Sequence, residues 1–277
     1  MKATRIVRRA LIVVTGLTLL SPPALASADE PLRYWTTDRM AAAEPESSSS
    51  AQVLISEPGV GAALPPTPLT ASPRPYTDPG ERAHGKVFYT KGGRNTWCSS
   101  AVATAPNKSL VWTAAHCVSG ASNVIFVPAY NSAGGNDAPY GRWPARRVRT
   151  SGNDHAVVVV GQVGGRSLEE VVGANGIRFN GPLANRTTIW GYPGARQWTG
   201  RDLTYCDVRA QSSGSSVSTS CVTQPGSSGG GYVTGAATPA GLGYLWANHT
   251  AGDGAGHAVG SVFGATAKQL YDANSSH

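Results

Sequence analysis

Pro225-Gly226-Ser227-Ser228-Gly229-Gly230-Gly231 sets a serine among glycines late in a strand-forming sequence. A serine hydroxyl is a weak nucleophile at neutral pH, so Ser228 needs a base to take its proton and fixed donors to hold the oxyanion that attack creates. Glycine at 226, 229 and 230 lets the backbone take up positive φ and approach a substrate, so that the amides of Gly226 and Ser228 can point at one place. A flexible glycine-serine loop is the bland alternative in a chain with 34 glycines among 277 residues, and it would weigh as much if the stretch stood alone.

A candidate base lies upstream. Val111-Trp112-Thr113-Ala114-Ala115-His116-Cys117-Val118 brings one histidine to the end of an apolar run, beside a cysteine. A lone histidine in such a run is commonly a satisfied core residue. Here Thr-Ala-Ala-His-Cys, taken with Gly-x-Ser-Gly-Gly, resembles the trypsin/chymotrypsin-like serine peptidases. The carboxylate that would hold the histidine tautomer is Asp154: Asn153-Asp154-His155 leads into Ala156-Val157-Val158-Val159-Val160, a buried-strand pattern opened by an acid. Asp137, Asp202, Asp207 and Asp253 lack that flank. The order His116, Asp154, Ser228 is that of the chymotrypsin type and not of subtilisins or α/β-hydrolases.

The resemblance implies an all-β fold of two six-stranded antiparallel barrels. His116 and Asp154 would come from the first and Ser228 from the second, with the amides of Gly226 and Ser228 as oxyanion hole and with no metal or organic cofactor. One departure concerns Ser227. Animal members usually place an Asp there, which pairs with the amine freed by activation cleavage; a neutral serine and the lack of an Ile-Val-Gly-Gly start are more similar to the bacterial secreted branch that includes the glutamyl endopeptidases. In that branch a Thr or Ser five residues before the nucleophile and a His on a later strand hold the substrate carboxylate, which maps onto Thr223 and His249 and implies a preference for Glu or Asp at P1. The competing reading makes Thr223 a strand-end residue and His249 a solvent-facing turn residue.

Outside the site, residues 1–28 read as a secretory signal: Lys2, Arg5, Arg8 and Arg9 precede an apolar run too short to span a bilayer, followed by Ala24-Leu25-Ala26-Ser27-Ala28. Residues 29–84 are rich in proline, serine and acid without a sustained period, which predicts a propeptide, linker or spacer that is extended or disordered when alone. That leader carries a net charge of −4 (4 basic, 8 acidic) against +7 (15 basic, 8 acidic) for residues 85–277, the expected protease domain.

Short apolar runs between Gly, Pro, Asn and Ser clusters predict eleven strands between Lys86 and Asn248, and Phe263, Ala267, Leu270 and Tyr271 at helical spacing predict a C-terminal helix. Cys98, Cys117, Cys206 and Cys221 in a secreted chain are expected to pair, in one of three connectivities. The local choice, Cys98 with Cys117 and Cys206 with Cys221, gives each barrel one bond, and the resemblance implies that the first braces the loop bearing His116. Without Cys-x-x-Cys or a close His pair, a zinc site has no support.

The expectation is therefore a secreted, extracellular, monomeric serine endopeptidase acting on protein or peptide. No nucleic-acid motif and no stable membrane attachment are expected, since Arg146-Arg147-Val148-Arg149 reads as a solvated strand edge. The alternative is a catalytically inactive protein of the same fold that binds cell wall or another protein.

Overall fold

A computed structural model describes residues 30–47, 65–181 and 186–277. The signal at 1–28 lies outside the described residues. Two short leader strands come first, β1 (Glu44–Pro45) and β2 (Thr70–Ala71). The strands β3 (His84–Lys91), β4 (Arg94–Ala103), β5 (Leu110–Ala114), β6 (Ser122–Pro128), β7 (Trp143–Ser151) and β8 (His155–Val160) then close a six-stranded barrel in the order β4-β3-β6-β7-β8-β5, with β5 pairing back to β4. After β9 (Gly176–Ile177), a second barrel is built from β10 (Arg186–Gly191), β11 (Thr204–Ser213), β12 (Ser216–Thr219), β13 (Gly231–Thr234), β14 (Tyr244–Gly252) and β15 (Ala258–Val262). It runs β10-β13-β14-β15-β12-β11 and closes through β10 and β11.

The valine run of β8 is apolar throughout because both of its faces are covered. Ala156, Val158 and Val160 join the core inside the first barrel, while Val157 joins a second cluster shared with Trp112, Trp190, Leu245 and Phe263. Side chains on a strand alternate between faces, so a strand buried on both sides loses the usual apolar-polar alternation. Ile189, Val208, Val217, Tyr232 and Trp246 fill the second barrel. The C-terminal helix Ala265–Asp272 packs on β7 and β8 and buries Ala267 and Leu270, the positions its helical spacing selects. Disulfides Cys98–Cys117 and Cys206–Cys221 give each barrel one covalent tie.

The leader is not a uniform tail. Residues 65–84 are wired into the second barrel and the turn before β3. Thr67 N donates to Ser220 O at 2.8 Å, β2 pairs antiparallel with β11, Ser72 N donates to Leu203 O at 2.8 Å, and Tyr76 is buried. Ser72 Oγ donates to the buried Glu81 at 2.6 Å. Residues 30–47 pack on the first barrel instead. Trp35 is fully buried against Phe88, with ring centroids 5.4 Å apart, and Met40 is buried near it. Composition fails to indicate this order because both pieces obtain their apolar and hydrogen-bonding partners from the barrels, not from their own neighbours in sequence. Among the described residues no helix is long and apolar enough to cross a membrane.

Candidate active site

Two turns bring His116 and Asp154 together. β5 ends at Ala114 and one helical turn, Ala115–Val118, carries His116 beside the disulfide-bonded Cys117. The link from β7 to β8 turns back through Asn153 and Asp154, both in the left-handed region at φ +58 and +59, a conformation Asn and Asp tolerate better than most residues. The acid thus stands in the turn before the strand. Its Oδ1 accepts from His116 N at 2.8 Å and its Oδ2 meets His116 Nδ1 at 2.9 Å. Ala115 N also donates to Asp154 O at 3.1 Å, which fastens the two turns to each other. His116 and Asp154 side chains are each 18% exposed. With Nδ1 engaged by a carboxylate, the neutral ring carries its proton there and leaves Nε2 as an acceptor; among the described residues that buried Nε2 has no hydrogen-bond partner.

The second barrel supplies the serine loop. Gly226 sits at φ +90, and a Cβ there would run into the Trp97 ring and lie 2.7 Å from Tyr192 O. Gly229, at φ +79, presses on the end of β5, where a Cβ would stand 2.8 Å from Ala114 N and collide with Thr113 Oγ1 and Ser99 O. Ser228 is therefore the neighbour in sequence of a residue packed on the end of β5, and it is 5% exposed. The loop is fixed from several sides. Gly226 O accepts from Ser99 N at 3.0 Å and Ser99 Oγ at 2.7 Å, Gly229 N donates to His249 O at 2.8 Å, and His249 N donates to Gly230 O at 2.8 Å. Ser227 is buried; its Oγ accepts from Gln224 N at 3.4 Å and its N–H donates to Gln224 O at 3.0 Å. Gly226 N donates to the leader carbonyl of Glu46 at 3.1 Å.

Thr223 and His249 are both buried. Thr223 Oγ1 has no partner among the described residues and faces Gly252, where a Cβ would meet it. His249 does not end its strand, because β14 runs on to Gly252, and at 2% exposed it is no solvent-facing turn residue. Its Nδ1 lies 3.2 Å from Tyr232 Oη. Burial, with the nearby His116 adding to it, pushes the His249 ring down to about 3, so the ring is neutral at neutral pH.

Sequence reasoning passed over Asn248. Fully buried in β14, it donates from Nδ2 to Asp154 O at 3.2 Å, while its Oδ1 accepts from Trp112 Nε1 at 3.3 Å and meets His155 Nδ1 at 2.8 Å. One residue of the second barrel therefore fixes the Asp154 turn of the first. The only available signal was its place next to His249. The sulfurs of Cys98 and Cys117, which lie close to the His116 ring, are joined to each other and are not thiolates that could hold a metal.

Neither protein-family models nor curated proteins give a match to this sequence. Solved structures do. The protease Anisep from Arthrobacter nicotinovorans is 30% identical, covering 76% of this chain and 100% of its own, with a TM-score of 0.66. The thermostable serine protease AL20 from an extremophilic microorganism is 29% identical over 71% of this chain and 98% of its own, at TM-score 0.65. A Glu endopeptidase in complex with MPD shares the fold at TM-score 0.60, with 18% identity over 78% of this chain and 99% of its own.

Proposed function

Because the chain belongs to the trypsin/chymotrypsin-like serine proteases, we propose that it is a secreted endopeptidase working through His116, Asp154 and Ser228. The observation that carries this reading is the pairing of His116 with both Asp154 oxygens, at 2.8 and 2.9 Å, which leaves Nε2 as a buried, unfilled acceptor. Ser228 Oγ attacks the scissile carbonyl carbon as His116 Nε2 takes its proton. Asp154 holds the tautomer and offsets the imidazolium charge without itself taking the proton. The tetrahedral oxyanion is received by the amides of Gly226 and Ser228. Collapse breaks the C–N bond, His116 Nε2–H protonates the leaving amine, and water, activated by the same nitrogen, releases the acyl group from Ser228.

For P1, the reading is Glu or Asp. A buried threonine hydroxyl without a partner costs free energy, about 1–3 kcal/mol for a group of this kind, unless a ligand satisfies it. Thr223 is such a hydroxyl, and a substrate carboxylate would accept its proton. His249, neutral when the pocket is empty, would gain a proton-accepting neighbour in that carboxylate. The Glu endopeptidase among the structures of this fold supports testing that side chain first.

Residues 1–28 act as the secretion signal in this reading, and the part of the leader ahead of residue 65 is removed. The protease unit extends N-terminal to residue 85, because 65–84 share the hydrogen bonds of the second barrel. Ser228→Ala, compared with wild type as secreted protein on casein and with a fluorophosphonate probe, is expected to lose both turnover and labelling. Undiminished turnover by the variant removes the assignment.

A further inference from the structure

The N-terminal leader places a backbone carbonyl on the amide of Gly226, and it does so from a built position. Ala43 O accepts from Trp97 Nε1 at 3.2 Å, Glu44 O accepts from Thr96 Oγ1 at 2.9 Å, and Glu46 N donates to Trp97 O at 3.0 Å. β1 therefore lies parallel to β4 with Glu44 opposite Thr96 and Pro45 opposite Trp97. At its end, Glu46 O accepts from Gly226 N at 3.1 Å. The Glu46 side chain is engaged on the first barrel. Its Oε2 accepts from the buried Tyr89 Oη at 3.0 Å, and that hydroxyl also lies 3.3 Å from Cys98 Sγ. Upstream, Trp35 and Met40 anchor the segment in the first barrel, and Arg142 donates to Trp35 O at 2.6 Å.

We infer that residues 43–46 are an inhibitory latch, in which Glu46 O occupies the oxyanion-hole donor Gly226 N while β1 covers the Thr96–Trp97 edge. The inference rests on the proposed catalytic role of that amide. One N–H at ordinary hydrogen-bond distance from one carbonyl cannot also serve a developing oxyanion, so the latched chain lacks a donor whose loss typically costs about 100- to 1,000-fold in turnover. The latch resists its own enzyme as well. The carbonyl on Gly226 belongs to a residue whose side chain is held at Tyr89, so Glu46 does not offer its carboxylate to Thr223 as a P1 residue would. The occupant of this surface is thus a segment of the same chain, held by main-chain pairing and by one carboxylate.

The test measures the rate at which a fluorophosphonate labels Ser228 in the full chain, with mass spectrometry establishing that the leader is attached. Glu46→Pro removes the N–H that bonds Trp97 O and the carboxylate that Tyr89 holds; Trp35→Ala loosens the anchor. Each variant is expected to label at least about ten-fold faster than wild type, toward the roughly 100-fold that one oxyanion donor is worth. A synthetic peptide of residues 30–47, added to any form that has lost its leader, is expected to slow labelling, and the same peptide with Glu46→Pro is not. Equal labelling rates in wild type and both variants, with no effect of the peptide, overturn the latch and leave the hydrolase standing. Absence of Ser228 labelling in every form, with or without the leader, overturns the hydrolase and the latch with it.

Discussion

Asp154 grips His116 at two points, one carboxylate oxygen on the backbone N–H at 2.8 Å and the other on Nδ1 at 2.9 Å. The backbone contact sets the position of the helical turn and the ring contact sets its tautomer, so a single side chain governs both placement and proton distribution. Asp154→Asn keeps the shape and can keep the first bond, but its amide can present N–H to Nδ1 and turn the proton to Nε2. Turnover is expected to fall by about 10,000-fold, with KM nearly unchanged and the far-UV spectrum preserved. A loss below ten-fold would contradict the assigned role.

Gly229→Ala is expected to damage folding as well as activity. At φ +79 the added methyl is strained, and it also meets Ser99 O and stands 2.8 Å from Ala114 N, both backbone atoms that cannot swing aside. Strain alone is of order 1–3 kcal/mol, so the thermal midpoint should fall by several degrees, at about 2–4 °C per kcal/mol for a chain of this size. Gly214→Ala is the control, because Gly214 also has positive φ, +58, but faces open space. Calorimetry of the two variants should show the larger loss at 229.

Thr223→Val separates pocket chemistry from packing. If the orphaned hydroxyl serves the P1 carboxylate, kcat/KM for a Glu substrate should drop by about 10- to 100-fold, the worth of a hydrogen bond to a charged group, while a Leu substrate is unaffected. Stability should hold or rise by about 1 kcal/mol, since the valine removes a buried polar atom that the fold leaves unpaired. An equal loss on both substrates would dismiss the carboxylate reading.

Three buried histidines, His84, His155 and His249, are held below the ordinary imidazole range by burial, and His84 and His249, shifted furthest, predict acid sensitivity. Burial pushes His84 down to about 4, against the opposing pull of the Gly80 carbonyl, and pushes His249 down to about 3. Unfolded histidine takes its proton near 6.5, so above that pH neither group discriminates between the states. As pH falls below it, the unfolded chain binds protons that the folded chain refuses, and stability declines by about 1.4 kcal/mol per pH unit for each group. The His84 contribution levels off near 4 and that of His249 near 3. Urea midpoints between pH 7 and 4.5 should show this decline, and His84→Asn or His249→Asn should each flatten it by one proton's share. An unchanged slope in both variants would count against the burial account.

The two barrels were legible from sequence because their signals are local. The run Ala156–Val160 declares a strand covered on both faces, and Ala267, Leu270 and Tyr271 declare a helix stripe, although Phe263, read with them, lies ahead of the helix. Eleven of the twelve barrel strands were anticipated in place; β15, the short Ala258–Val262 with its central glycine, was not. His116 and Asp154 stood out through their flanks. Asn248 and Glu46 carry no such mark, because what they do depends on partners 94 and 180 positions away, Asp154 and Gly226. The order of 65–84 was hidden for a similar reason. Its bonds go to Leu203, Ser220 and β11, and a proline-rich stretch shows no period that would announce them.

Ser227, tucked against the Gln224 backbone, gives the loop its curvature from within. An enzyme that waits for a newborn ammonium to fold its machinery has two conformers to equilibrate; a centre closed only by the latch proposed above would need no such step. On that proposal, activation is a matter of subtraction, with a rate set by how fast the cover departs.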